Sequence, residues 1–321
     1  MNFKEYILRD LNSLKLRAEN KNIDTDRVAD LIYKLLMSKK FRKYSVEPSY
    51  QQHILKVIKD SVANNEPIKL TLVFGGYKLW RLEEAPQVDW AELFSLIYYA
   101  KWLKPIAEIY KPGVWFDFYS DDVILERMNN IPISDTETYI QSFKQLLGFF
   151  ENYLPENLKL TLSRVGDQYS SRDEFNQELD QLIQKLEKEV CSVPLTSKQI
   201  TAVDLNVKLS PGQDDNADWR EKVNLMHEAY SKVSKRRPYY RNDQKIFIIT
   251  RPIKDALAVG TTKRSVVKFW IGAGVAHKED DDYSAYIYSP KQLEANNFAR
   301  ENVEIDGLAG QNFKSVRIMS I

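Results

Sequence analysis

Cysteine is nearly absent: Cys191 is the only one among 321 residues. An intrachain disulfide is therefore excluded, as are zinc sites built from several thiolates, and a reducing, cytoplasmic setting is expected. Cys191 follows a charged helical stretch with no recognisable catalytic partner, so packing is its expected role. Histidine is almost as scarce. His53, His227 and His277 stand far apart and lack metal-ligand spacing, so no metal site is expected. No GxSxG elbow and no HExxH pair occurs. The few glycines form neither a GxGxxG nor a Walker loop, which removes the usual nucleotide fingerprints. No apolar run approaches the ~18–20 residues needed to span a bilayer. The opening "MNFKEYILRDLNSLKLRAEN" lacks a signal peptide's apolar core. Membrane partners are thus not expected. Excess charge is missing too: 46 Lys and Arg face 45 Asp and Glu. Any electrostatic function must come from local clustering.

What is present is an ordinary globular composition, 43% hydrophobic and 28% charged, with aromatics at 12%. The periodicity predicts helices over residues 1–66. It then changes. "PIKLTLVFGG" (67–76), "VWFDFYS" (114–120) and "LKLTLSRV" (158–165) read as strands, separated by helical patterns near 90–110, from 121, and over 136–153. A further helix is predicted over 171–190. This alternation predicts an α/β fold: a Rossmann-like layered sheet with an N-terminal helical segment and a mainly β C-terminal part. Three parts are expected: helices over 1–66, the α/β core over 67–191, and an α+β part over 192–321 completing the site, in the same domain or beside it. Within the last part, a strand in "TAVDLNVKLS", a helix over 219–235 and strands at "KIFIITR", "VVKFWIGAGV", "YSAYIYS" and "FKSVRIM" are predicted. A short helix is expected at "SPKQLEANNF" and a hairpin turn at Asp280–Asp282.

Ligands of α/β sheets gather outside the carboxyl ends of the strands. Three such ends carry polar residues. "FGGYKLWR" offers Tyr77, Lys78 and Arg81 beside paired glycines, though a charged surface loop would look the same. "FYSDD" offers Asp121, which could hold a substrate ammonium or simply cap the next helix. "LSRVGD" offers Arg164 and Asp167. Downstream, "HEAYSKVSKRRPYYR" contributes His227, Arg236, Arg237, Tyr240 and Arg241. Basic residues at a helix C-terminus can merely answer its dipole, but arginine also suits bidentate recognition of phosphate or carboxylate. The stretch 245–275 adds Arg251, Lys254, Lys263, Arg264 and Lys268 around a Gly-Thr-Thr turn, with Ser265. Hydroxyls, amides and cations near a glycine can hold a phosphate, and a charged hairpin is the plain alternative. If "SVVKFWIG" is a strand, Lys268 alternates with Val267 and Phe269 and faces either the pocket or solvent.

The order of features over 67–122 resembles the isocyanide (isonitrile) synthase family related to pyoverdine and dityrosine biosynthesis proteins. The resemblance rests on a "PI" strand, a lysine-bearing loop, a Pro-x-x-Asp-x-Ala-Glu helix start, a Tyr-x-Pro-Gly turn, a strand and an aspartate. The matching positions are Lys78, Pro86, Ala91, Glu92, Tyr110, Pro112, Gly113 and Asp121. The resemblance implies a Rossmann-like fold and the condensation of an amino acid's amine with a phosphorylated sugar such as ribulose 5-phosphate, without metal or other cofactor. Such an enzyme needs cations for the phosphate, an aromatic wall and acid/base groups. Lys78, Asp121 and His227 are then the candidate catalytic residues. Tyr77, Arg81, Arg164, Arg236, Arg237, Tyr240, Arg241, Lys263 and Lys268 are the candidate anion and substrate contacts. Two rivals stand beside this reading. One is a nucleic-acid-binding or processing protein using the basic, aromatic segment 234–268, against which the near-zero net charge counts. The other is a non-catalytic member of the fold that binds a small anion.

Overall fold

The structure is a computed structural model describing residues 1–15, 25–75, 82–190, 196–197, 200 and 216–320. Helices open the chain: α1 (Phe3–Asn12), α2 (Thr25–Leu36) and α3 (Pro48–Ala63). The α/β part follows as β1 (Ile68–Phe74), α4 (Trp90–Ile109), β2 (Val114–Ser120), α5 (Asp122–Met128), α6 (Ile133–Glu151), β3 (Leu158–Arg164) and α7 (Arg172–Val190). Then come α8 (Ala217–Ser231), α9 (Arg236–Tyr240), β4 (Ile246–Ile249), β5 (Leu257–Ala258), β6 (Ala273–Glu279), β7 (Asp282–Tyr288), α10 (Pro290–Glu294), β8 (Ala299–Asn302) and β9 (Ser315–Ser320). The fold class is as expected: a parallel five-stranded sheet flanked by helices, and a mainly β C-terminal part with a second sheet. The strand expected in "TAVDLNVKLS" lies outside the described residues.

The first sheet has the order β3-β2-β1-β4-β5, with every pairing parallel. Its even-numbered face is mostly apolar, while the other carries Thr71, Asp117, Thr161 and Ser163. Even-numbered β2 residues face α4 and α6: Phe116 packs 5.2 Å from Tyr99, and Phe118 lies 5.3 Å from Phe143. Both phenylalanines are fully buried, each contributing about 1.5–3 kcal/mol relative to exposure. The odd-numbered face meets α9, where Tyr119 stacks on Tyr239 at 4.6 Å. Helix α4 is apolar all round and buries fifteen of its twenty residues, because both sheets press on it. Its start is a capping box: Asp89 accepts from the Ala91 amide, and Glu92 accepts from the Asp89 amide. Glu92 also accepts from the Tyr139 hydroxyl at 2.9 Å. Gly113, at φ +72°, lies so close to the Asn157 carbonyl that any side chain would collide with it.

The second sheet runs β7-β6-β9-β8, with β9 parallel to β6 and antiparallel to β8. The β6–β7 hairpin turns at Asp280 and Asp281, with Glu279 paired to Asp282. This sheet docks on the start of α4: a Cβ on Gly274 would lie 2.4 Å from the Trp90 Cβ. The indole of Trp90 donates to the Ser315 carbonyl at 2.8 Å. One cluster of buried side chains runs from Phe3 to Ile318 through both sheets.

The strand expected over "VVKFWIGAGV" forms only from Ala273. Residues 266–272 make a turn instead, because hydroxyls capture the backbone. The Val267 amide donates to Ser265 Oγ, Thr261 Oγ1 donates to the Val267 carbonyl at 2.6 Å, and the Ile271 and Gly272 amides both reach the Lys268 carbonyl. The helix expected over 219–235 stops at Ser231, and "RRPYY" forms a short helix of its own.

Candidate functional site

In a 3-2-1-4-5 sheet the strand order reverses between β1 and β4, and the chain leaves the two strands in opposite directions. That reversal opens a crevice at their carboxyl ends, where ligands of such sheets bind. Residues 76–81 follow β1 and lie outside the described residues, so the expectations placed on Tyr77, Lys78 and Arg81 lie outside them as well. The other elements around the crevice are described.

From β2 comes Asp121. Its amide donates to the Phe74 carbonyl at 2.8 Å, pinning it to the end of β1. Its carboxylate accepts from Tyr230 Oη at 2.5 Å, Arg236 Nε at 3.2 Å and Arg236 Nη2 at 2.7 Å. Arg236 also donates to Tyr240 Oη at 3.0 Å and lies 4.5 Å from the Tyr230 ring centroid. The result is a charge pair enclosed by tyrosines, which joins β2, α8 and α9 at the rim of the sheet.

His227, also on α8, is exposed. Desolvation lowers its imidazole pKa from the usual value, the Glu228 carboxylate opposes this, and Arg236, Asp121 and Arg251 complete its charged surroundings. From β4 come Thr250 and Arg251. The Thr250 hydroxyl is buried and has no hydrogen-bond partner among the described residues. Arg251 is exposed. Lys268 is half-buried in the turn after β5, with Nζ 5.4 Å from the Trp270 ring centroid. Burial first, and the Arg251 cation second, bring its ammonium pKa down to about 8. Neither Arg251 nor Lys268 is paired with a carboxylate among the described residues. The geometry thus offers two unpaired cationic side chains, an imidazole biased towards neutrality and a bare hydroxyl. Such a set can hold an anion and move a proton.

Several candidates are engaged elsewhere. Arg164 is ion-paired with Asp122 at 2.5 Å and with Glu137 at 2.7 Å. Arg236 is held by Asp121. Tyr240 is buried against Phe247 at 4.8 Å, and Arg241 covers the same Phe247 ring at 4.8 Å. Arg237 is exposed on the outer side of α9. Lys263 is exposed, and its carbonyl accepts from Lys43 Nζ at 3.3 Å. The hydroxyls of the Gly-Thr-Thr loop turn inward: Thr262 Oγ1 accepts from the Ser265 amide at 2.8 Å, and Ser265 Oγ donates to the Ile287 carbonyl at 2.8 Å. They therefore do not form a phosphate cradle. The tyrosines of "RRPYYR" are not free to stack on bases, because the Tyr239 ring carries Tyr119 at 4.6 Å and Lys245 Nζ at 3.6 Å. Sequence reasoning missed Thr250 and Tyr230, and it named Arg251 without placing it in the site. Arg251 and Thr250 follow a predicted strand, so the rule applied to the other three strand ends would have found them.

Among the described residues no group of three His, Cys, Asp or Glu side chains is arranged to hold a metal ion, and no helix is long and apolar enough to cross a membrane. No family model and no curated protein matches the chain. Among solved structures, the PvcA protein from Pseudomonas aeruginosa is similar over 91% of this chain and 99% of its own, with a TM-score of 0.66 at 14% identity. At that identity, what the chain shares with PvcA is its fold.

Proposed function

We propose that the chain is an isocyanide-synthase-like enzyme that joins the amine of an amino acid to a phosphorylated sugar such as ribulose 5-phosphate. The family resemblance over 67–122 supports this reading, and so does the PvcA-like fold. The observation that carries it is the pair of cationic side chains, Arg251 and Lys268, unpaired with carboxylates among the described residues, with Arg251 acting on both Lys268 and His227 near the ends of β1 and β4. Arg251 holds the phosphate by charge-assisted hydrogen bonds. Thr250, whose buried hydroxyl lacks a partner among the described residues, hydrogen-bonds a sugar oxygen. His227, biased towards its neutral form, accepts a proton. The Asp121–Arg236 pair fixes the rim rather than meeting substrate, since each charge is already answered by the other.

The test is incubation of the purified protein with single amino acids and carbon-13-labelled ribulose 5-phosphate, followed by mass spectrometry. The expected product is an isonitrile of one amino acid that carries one labelled carbon. Binding of the sugar phosphate without turnover of any amino acid would sink the enzymatic reading and leave a protein that only holds a small anion.

A further inference from the structure

Several lysines of the described surface lean on carboxylates. Lys56 pairs with Asp60, Lys69 with Glu66, Lys101 with Asp10 and Lys235 with Glu174. Lys268 is not paired with a carboxylate among the described residues. Its backbone sits in a turn fixed by the Ile271 and Gly272 amides at 3.0 and 3.1 Å. The next two residues anchor that turn to the crevice: Phe269 and Trp270 lie 5.5 and 5.9 Å from Phe74, the last residue of β1. The side chain is half-buried against the Trp270 ring, with Arg251 as its charged neighbour.

A lysine becomes a nucleophile when desolvation or a neighbouring cation disfavours its ammonium form. Both causes act on Lys268, and they bring its pKa to about 8. At neutral pH that leaves about a tenth of the amine uncharged, roughly two orders of magnitude more than an ordinary lysine offers. A neutral amine is a poor anion holder and a good attacker of carbonyl carbon. Arg251 keeps its charge and is the better phosphate ligand.

We propose that Lys268 is a catalytic residue that forms an imine with the carbonyl group of a phosphorylated ketose, whose phosphate is held by Arg251. This rests on the sugar-phosphate reading above. The neutral Nζ attacks the carbonyl carbon, forming a C–N bond while the carbonyl oxygen gains a proton. The carbinolamine then loses that oxygen as water and becomes a protonated imine. Amine, carbonyl and one proton from solvent give the protonated imine and water, with no oxidant or reductant. The amine of the amino acid next adds to the imine carbon. The C–N bond to Lys268 breaks, and the lysine leaves as the free amine. Substrate thereby reaches the amino acid as an activated imine rather than as a ketone.

The experiment is reductive trapping. The full chain is incubated with ribulose 5-phosphate and cyanoborohydride, digested, and mapped by mass spectrometry. The expected result is a reduced sugar-phosphate adduct on Lys268, exceeding that on exposed Lys263 in the same loop by about tenfold or more. Lys268→Arg should remove the adduct and reduce isonitrile formation by about a hundredfold or more, with the melting temperature and circular dichroism unchanged. Equal labelling of Lys263 and Lys268, or no adduct at all, overturns the proposal. If labelled isonitrile forms without an adduct on Lys268, the imine-forming lysine is wrong and the enzymatic reading stands. An adduct on Lys268 without any isonitrile sustains the lysine and removes the isocyanide-synthase reading.

Discussion

In the proposed reaction, substrate binding turns on Arg251. Arg251→Ala is expected to raise KM for ribulose 5-phosphate by about 10–100-fold while changing kcat little, the loss of one charge-assisted contact made in both ground and transition states. Steady-state kinetics at fixed ionic strength measures it. In the proposed reaction, Lys268 sets the pH dependence. Its amine must be neutral to attack, so the rate should climb as pH rises through about 8 and level off above it. His227, lowered from its usual value, is already neutral in that window and adds no limb there. A rate that falls through pH 8 would contradict this assignment. At this scale the sequence was half legible. It named Asp121, His227 and Lys268 as candidates because each follows a strand or lies in a basic run. It could not show that Arg164 and Arg236 are engaged by carboxylates. Arg236 and Asp121 stand 115 positions apart, and nothing local in either segment marks the pairing.

The element most exposed to disruption is α9. It is only five residues long, and it keeps its place through side chains rather than its own helical bonds. Beneath it, buried Asp117 in the middle of β2 accepts from Thr161 Oγ1 at 2.6 Å, Ser163 Oγ at 2.9 Å and Tyr239 Oη at 2.9 Å. Desolvation raises the Asp117 pKa, and these three donors work against it. Asp117→Ala removes the acceptor shared by the three hydroxyls, leaving only the Tyr239–Ser163 and Trp115–Thr161 bonds, and is expected to cost about 1–3 kcal/mol, read as a lower urea midpoint. Asp117→Asn keeps an acceptor and should cost less. An alanine variant as stable as the parent would show that α9 is held otherwise. Elements were more legible than residues. Strands β1 to β3 and helix α4 announce themselves by apolar runs and by the Asp89–Glu92 cap. The stretch 266–272 misleads because its apolar residues read as a strand, while Thr261 and Ser265, placed just ahead, divert the backbone into a turn. Two-residue β5 is too short to leave a pattern.

At the scale of the whole molecule, the joint between the sheets is a glycine. Gly274→Ala would force its Cβ to within 2.7 Å of the Ala91 backbone nitrogen. The expected penalty is about 1–3 kcal/mol, because the start of α4 must move. Since one core runs through both sheets, urea unfolding followed by near- and far-ultraviolet circular dichroism should remain a single transition at a lower midpoint. Two separated transitions would mean that the sheets fold independently. The sequence disclosed the α/β class but not the order of the second sheet, because its decisive pairing, β6 with β9, joins segments some forty residues apart whose patterns do not name their partners. That pairing also bears on how the protein is made. β9 lies between β6 and β8, so during synthesis those two strands have no neighbour in common until residues 315–320 have left the ribosome. Until then β6 and β8 each present an unpaired edge, the kind of surface that chaperones bind and aggregates recruit. The first sheet can be complete on the nascent chain well before the second one closes.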